Sequence, residues 1–142
     1  MSERIQGKDP IFNVSTLKSV KAVVAKGATA PSNGTVIPAG YPLVAKGDGT
    51  YEVYTKAALA AQIAGTPGTT FPKNVAILGE PVTVASSMTA KVKVVFAGEV
   101  YLEGMREATE ITTSDIADHV FINAHGHLVF TNLNDVQLWD VE

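Results

Sequence analysis

Between Lys91 and Leu102 the chain reads Lys-Val-Lys-Val-Val-Phe-Ala-Gly-Glu-Val-Tyr-Leu, an extended-strand pattern broken by one glycine. Side chains alternate along a strand, so Val92, Val94 and Phe96 share one face and Lys91, Lys93 and Val95 the other. The strand is therefore expected to be half buried, with the Val92/Val94/Phe96 face toward a core. An isolated glycine weakens a strand unless the backbone needs its freedom, so Gly98 is expected at a bulge or bend, with Glu99 to Leu102 resuming the extended run. A strand of this kind commits the chain to a β-rich fold.

Turn signals upstream agree. Pro38-Ala-Gly40 and Pro42 restrict the backbone, and Leu43–Lys46 and Tyr51–Tyr54 flank Gly47-Asp-Gly-Thr50, which predicts a hairpin. Thr55 can cap a short helix over Lys56–Ala64, where Leu59 and Ile63 share a face and Gly65 stands at the stop. Such a helix is too short to stand alone and has to dock on the sheet. Thr66–Pro72 reads as a rigid loop, and Val75–Leu78 and Val82–Ala85 as further strands. Thr113–Phe130 admits two readings. In the preferred one, Thr112 or Thr113 caps a helix with Asp115 in its first turn, Gly126 ends it, and Leu128–Thr131 forms a strand. In the other, Val120–Ile122 and Leu128–Phe130 form a hairpin. The expected class is mainly β with one or two short helices.

The first 34 residues have another texture. Met1–Pro10 is polar and is expected to be disordered in isolation. Ile11–Val14 and Val20–Ala25 can each form a short extended segment, and Gly27–Gly34 has linker chemistry. Residues 1–34 thus read as an N-terminal arm, with an ordinary first strand over Leu17–Ala25 as the alternative. Residues 35–142 read as the β-rich body, carrying a C-terminal extension at 132–142 in which Val136–Val141, with the single tryptophan Trp139, can add an edge strand or meet a partner.

Composition narrows the partners. At 142 residues and 46% apolar, one domain with one core is expected. A formal net charge of −3 carries no basic footprint, which argues against nucleic acid or an anionic membrane as the main partner. The absence of cysteine excludes disulfides, thiolate zinc sites and thiol nucleophiles. The N-terminus lacks the apolar core of a signal peptide, and no run approaches the roughly 20 apolar residues that span a bilayer.

Catalytic motifs are missing: the sequence has no Gly-x-Ser-x-Gly elbow, phosphate-cradling glycine loop, dinucleotide fingerprint or His-Glu-x-x-His. No enzymatic activity and no cofactor are expected. Asp115, Asp118, His119, His125 and His127 are the residue types that hold divalent ions, but solvated or hydrogen-bonded side chains are the preferred reading. Glu99, Glu103, Glu107 and Glu110, with Arg106 among them, read as a charged rim or subunit contact rather than an acid/base pair. Tyr101 and Met105 lie among these charges and read as core or edge residues.

Taken in order, Thr35-Val-Ile-Pro-Ala-Gly-Tyr-Pro-Leu43, the Gly47–Thr50 turn, Ile77-Leu-Gly-Glu80, Val92–Val100 ending in Ala-Gly-Glu-Val, and the segment closing at Gly126 resemble the lambdoid phage head decoration proteins. The likeness covers residues 35 to 131. It implies a small β-tulip domain that forms a homotrimer, sits at threefold positions of the viral shell and has no catalytic residues. It further implies that an N-terminal arm grips the major capsid protein, which would place Ile11, Phe12, Val14, Leu17, Val20 and Val23 in the contact. Gly40, Gly98 and Gly126 would be structural. The long arm, the helix and loop at 56–72 and the extension at 132–142 depart from the compact family pattern. They leave open the base of a head fibre. Two further alternatives are a carbohydrate- or host-surface-binding module using Tyr41, Tyr51, Tyr54 and Trp139, and a small metal-binding enzyme.

Overall fold

The strand expected over Lys91–Leu102 is β7 (Lys91–Tyr101), and neighbours flank it on both sides in the computed structural model, which describes residues 11–27, 29–64, 75–117, 121 and 127–131. On one edge β7 runs antiparallel to β1 (Lys18–Lys26), with Val20 opposite Val94 and Val23 opposite Lys91. On the other it meets β5 (Val75–Leu78) antiparallel and then β8 (His127–Thr131) parallel, with Gly98 opposite Leu128. β5 pairs with β3 (Pro42–Ala45) and β3 with β4 (Tyr51–Val53), both antiparallel. β4 returns to β1 in parallel register, Val24 opposite Tyr51. The pairings β1–β4–β3–β5–β7–β1 close into a ring, with β8 alongside the far end of β7.

Ring closure changes the burial of β7. Val94 and Val95 are both fully buried, whereas Val92 and Phe96 are half-buried, so the centre of the strand is covered on both faces. At these two residues β7 carries β1 on one edge and β5 on the other. The register with β1 then slips: Lys18 faces Ala97 and Ser19 faces Val95, leaving Phe96, two residues before Gly98, as the extra residue of a bulge.

The predicted hairpin is β3–β4. Lys46 N–H donates to Thr50 O, and Asp48 Oδ1 accepts from the Thr50 amide and hydroxyl, which stiffens the turn. Helix α1 (Lys56–Ala64) buries Leu59 and Ile63 completely, as their spacing requires. β2 (Val36–Ile37) and β6 (Val82–Thr83) form a separate two-stranded sheet, extended at one end by Gly34 and Thr35 bonding to Val84.

A second helix, α2 (Leu102–Thr109), starts where the sequence suggested continued strand. Leu102, Met105 and Thr109 form its buried face, and Glu110 ends it in the left-handed conformation at φ 61°. Thr112 and Asp115 then bond reciprocally: the Thr112 amide donates to the Asp115 carboxylate, and the Asp115 amide donates to the Thr112 hydroxyl and carbonyl. This is a turn rather than the first turn of the helix expected at Thr112 or Thr113. Phe121 is helical and fully buried. The other readings at 118–120 and 122–126, Gly126 among them, lie outside the described residues, as do 1–10, 65–74 and 132–142.

From Ile11 onward the first 34 residues are not a separate arm, and the alternative of an ordinary first strand is found as β1. Ile11 and Phe12 are in the core, and β1 is the strand that closes the ring. The physical reason is that Ala22 and Val24, buried on β1, complete the same core that the strands after residue 35 build.

Candidate docking surface

Ahead of β1 the chain lies along the far end of β7. Phe12 bridges Val100, Asn13 N–H donates to Glu99 O at 3.0 Å, and Tyr101 N–H donates to Ile11 O at 2.7 Å. A 3₁₀ turn over Val14–Thr16 then crosses Gly98. Gly98 sits at φ 122°, and a Cβ there would stand 2.8 Å from Thr16 O and 3.0 Å from Leu17 Cα. Both conformation and contact therefore demand glycine. Gly40, at φ 98°, has a related role, because a Cβ there would be 3.0 Å from Ile11 Cδ1.

Glu99 ties three segments together. Its carboxylate accepts from Asn13 Nδ2 at 2.8 Å and from Thr131 Oγ1 at 2.7 Å, while its amide donates to Thr16 Oγ1 at 3.0 Å. The bonds from Asn13 and Thr131 favour the charged form and hold its pKa below the ordinary glutamate range. Glu99 is thus separate in role from Glu103, Glu107 and Glu110. Arg106 does not serve an acid/base pair: its guanidinium donates to Ile111 O at 3.2 Å and Ile116 O at 3.0 Å, and lies over the Phe121 ring.

The six residues expected in a gripping arm fall into different environments. Ile11 and Phe12 are buried, and Leu17 and Val23 are half-buried. Val14 and Val20 remain exposed, at 63% and 46%. Val20 stands on a stretch of β1 with one open edge. Among the described residues Lys18–Val23 pair with β7 alone, and β4 takes up the other side of β1 only from Val24 onward. In an antiparallel strand, alternate residues turn their N–H and C=O groups away from the paired neighbour, and among the described residues no strand pairs with that second edge of Lys18–Val23.

Lysines line β1 and the facing stretch of β7. Lys18 and Lys21 are exposed, Lys21 stands opposite Lys93, and Val23 stands opposite Lys91. Glu80 accepts from Lys21 Nζ at 2.9 Å and from the Lys93 amide at 2.7 Å, and the Lys21 bond leads in lowering its pKa. Lysines along a sheet edge discourage indiscriminate strand pairing.

Other surfaces offer less. Among the described residues no group of three or more side chains is placed to hold a metal ion. Asp115 is engaged with Thr112, His127 lies in β8, and Asp118, His119 and His125 lie outside the described residues. Of the tyrosines that a sugar-binding face would use, Tyr41 and Tyr54 are buried. Tyr41 Oη donates to Tyr54 O at 2.8 Å and Tyr54 Oη to Glu52 at 2.6 Å. Burial pushes both phenols up to about 12, with Glu52 adding to the shift at Tyr54. Tyr51 packs against the core, and Trp139 lies outside the described residues. In a groove bounded by Val36, Pro38, Tyr41, Lys56, Thr109 and Glu110 the buried hydroxyls of Tyr41 and Thr109 already donate within the protein, to Tyr54 O and Met105 O.

The open edge could not have been located from sequence, because it depends on where β4 stops pairing with β1. The exposed alternation Lys18-Ser-Val-Lys21 was the available signal. Comparison with protein-family models, with curated proteins and with solved structures returned no match.

Proposed function

We propose that this chain is a capsid decoration protein of the β-tulip kind. In this reading it is a homotrimer that binds the major capsid protein on the outside of an expanded viral head, at threefold or quasi-threefold positions, and stabilises the shell against internal DNA pressure. It is made in the host cytoplasm and ends on the virion, and neither catalysis, cofactor, nucleic acid nor membrane enters its role. The ordered glycine and strand elements from Thr35 to Thr131 suggest the family. The observation that carries the reading is the open edge of β1 at Lys18–Val23, with exposed Val20 between two lysines.

An extended segment of the shell protein can add a strand there, main-chain bonds supplying affinity and side-chain pockets supplying specificity. Net gains of about 1 kcal/mol per hydrogen bond make one such edge a weak grip. A trimer that engages three equivalent sites gains the rest through effective concentration. Preference for the expanded shell would stabilise that state by mass action.

Solution mass and cosedimentation with expanded and unexpanded shells of the cognate virus test the reading. Trimer mass and binding to expanded shells are expected. A persistent monomer that pellets with neither shell would reject it.

A further inference from the structure

Ser32–Thr35 form a tight turn closed by a 3.1 Å bond from Thr35 N–H to Ser32 O, with Asn33 and Gly34 at its centre. Both central residues are exposed, and no atom lies within 4 Å of where a Gly34 Cβ would be. The Asn33 side chain has a charged neighbour: Lys26 Nζ donates to Asn33 Oδ1 at 2.9 Å. An ammonium group on an amide oxygen draws electron density from the carbonyl carbon and stabilises negative charge that develops on the oxygen. The side-chain carbonyl carbon and the following amide nitrogen are also linked through one residue's backbone, which makes ring closure intramolecular.

We propose that Asn33 is a self-modification site that converts to aspartate or isoaspartate, with Lys26 as its electrophilic activator. The Gly34 amide gives its proton to water, and the nitrogen attacks Asn33 Cγ. The new N–Cγ bond leaves negative charge on Oδ1 beside Lys26. The Cγ–Nδ2 bond then breaks and ammonia departs with a proton from water, leaving a five-membered imide. Water adds to one of the two imide carbonyls and opens the ring to aspartate or isoaspartate. No oxidant or reductant is needed, and water is the co-reactant throughout.

The fold also supplies a gate. Gly34 N–H donates to Val84 O at 2.8 Å, so the attacking nitrogen is engaged until that bond opens. The bond lies at the end of the short β2–β6 ladder, where local opening costs far less than global unfolding. The product is one charge more acidic, taking the formal net charge from −3 to −4 by replacing a neutral amide with a carboxylate. The new carboxylate stands beside Lys26 at the end of β1, three residues past the open edge, and neutralises a cation there.

The test follows the peptide spanning Asn33 by mass spectrometry while the full-length protein is held at neutral and mildly alkaline pH, with isoaspartate distinguished by fragmentation. Asn13, followed by the β-branched and more crowded Val14, is the internal reference. Conversion of Asn33 on the order of tenfold faster than Asn13 is expected, a barrier difference near the 1.4 kcal/mol that a factor of ten represents. Lys26→Ala should slow Asn33 several-fold in the folded protein but not in urea, and Lys26→Arg should restore most of the rate. Unfolding in urea should speed conversion of the wild-type chain by removing the Val84 bond. Asn33 converting no faster than Asn13 would overturn the site. A folded-state rate unaffected by Lys26→Ala would overturn the role of the lysine, and equal folded and unfolded rates would overturn the gate.

Discussion

Replacing Gly98 with alanine should be far more damaging than the same single-methyl change at an open turn glycine such as Gly47. Two costs combine. At φ 122° an L-residue is strained by about 1–3 kcal/mol. The added Cβ also lies 2.8 Å from Thr16 O and 3.0 Å from Leu17 Cα, which are backbone atoms that cannot rotate away. The 3₁₀ turn must shift, and the bond from the Glu99 amide to Thr16 Oγ1 is lost, adding about 1 kcal/mol. A total of about 2–4 kcal/mol follows, and with a slope of about 2 kcal/mol per molar urea the unfolding midpoint should fall by about 1–2 M. Far-UV circular dichroism in urea reads this directly. Gly47→Ala is the control: its φ is 92°, but nothing lies within 4 Å of its Cβ position, so it carries strain alone, about 1 kcal/mol. If Gly98→Ala costs no more than Gly47→Ala, the close crossing of the N-terminal segment over β7 is wrong.

Two further predictions concern charged groups that hold segments together. Glu99 has a folded-state pKa below the ordinary value near 4.5, so its contribution is fully present above that pH and is lost as pH falls through the lowered value. Glu99→Gln should therefore be less stable than wild type at neutral pH, and the gap should shrink in acid; a gap independent of pH would contradict the bonding described for the carboxylate. Arg106→Met should lose about 2–3 kcal/mol by abandoning the Ile111 and Ile116 carbonyls, roughly 8 °C in Tm for a chain of this size, and Arg106→Lys should recover only part because an ammonium cannot fork between them. Equal melting of Arg106→Lys and wild type would refute the forked geometry.

The elements that sequence made legible are those whose cause is local. The Gly47–Thr50 hairpin rests on turn chemistry, α1 on the Leu59/Ile63 spacing, and β7 on alternation that also marked Gly98. What stayed hidden depends on distant partners. Nothing near Val20 announces that it pairs with Val94, and nothing near Val24 announces a parallel neighbour at Tyr51, so the sequence left β1 open between an arm and an ordinary first strand and did not show that it closes the ring. Helix α2 was obscured by its acidic residues and by an interior Gly104, although the spacing of Leu102 and Met105 held the signal. The reading of Val95 as an outward residue failed because covering layers on both faces cannot be inferred from one strand's alternation. The candidate docking edge was hidden for the same reason as β1: an edge is defined by where its neighbours end.

Hydrogen exchange at the β1 amides, measured on the protein alone and on the protein bound to expanded shells, tests the central claim most directly. The outward-facing amides of Lys18–Val23 should exchange readily in the unbound protein and become strongly protected on the shell, while those bonded to β7 should be protected in both. Tight shell binding with unchanged exchange along Lys18–Val23 would contradict a grip through this edge.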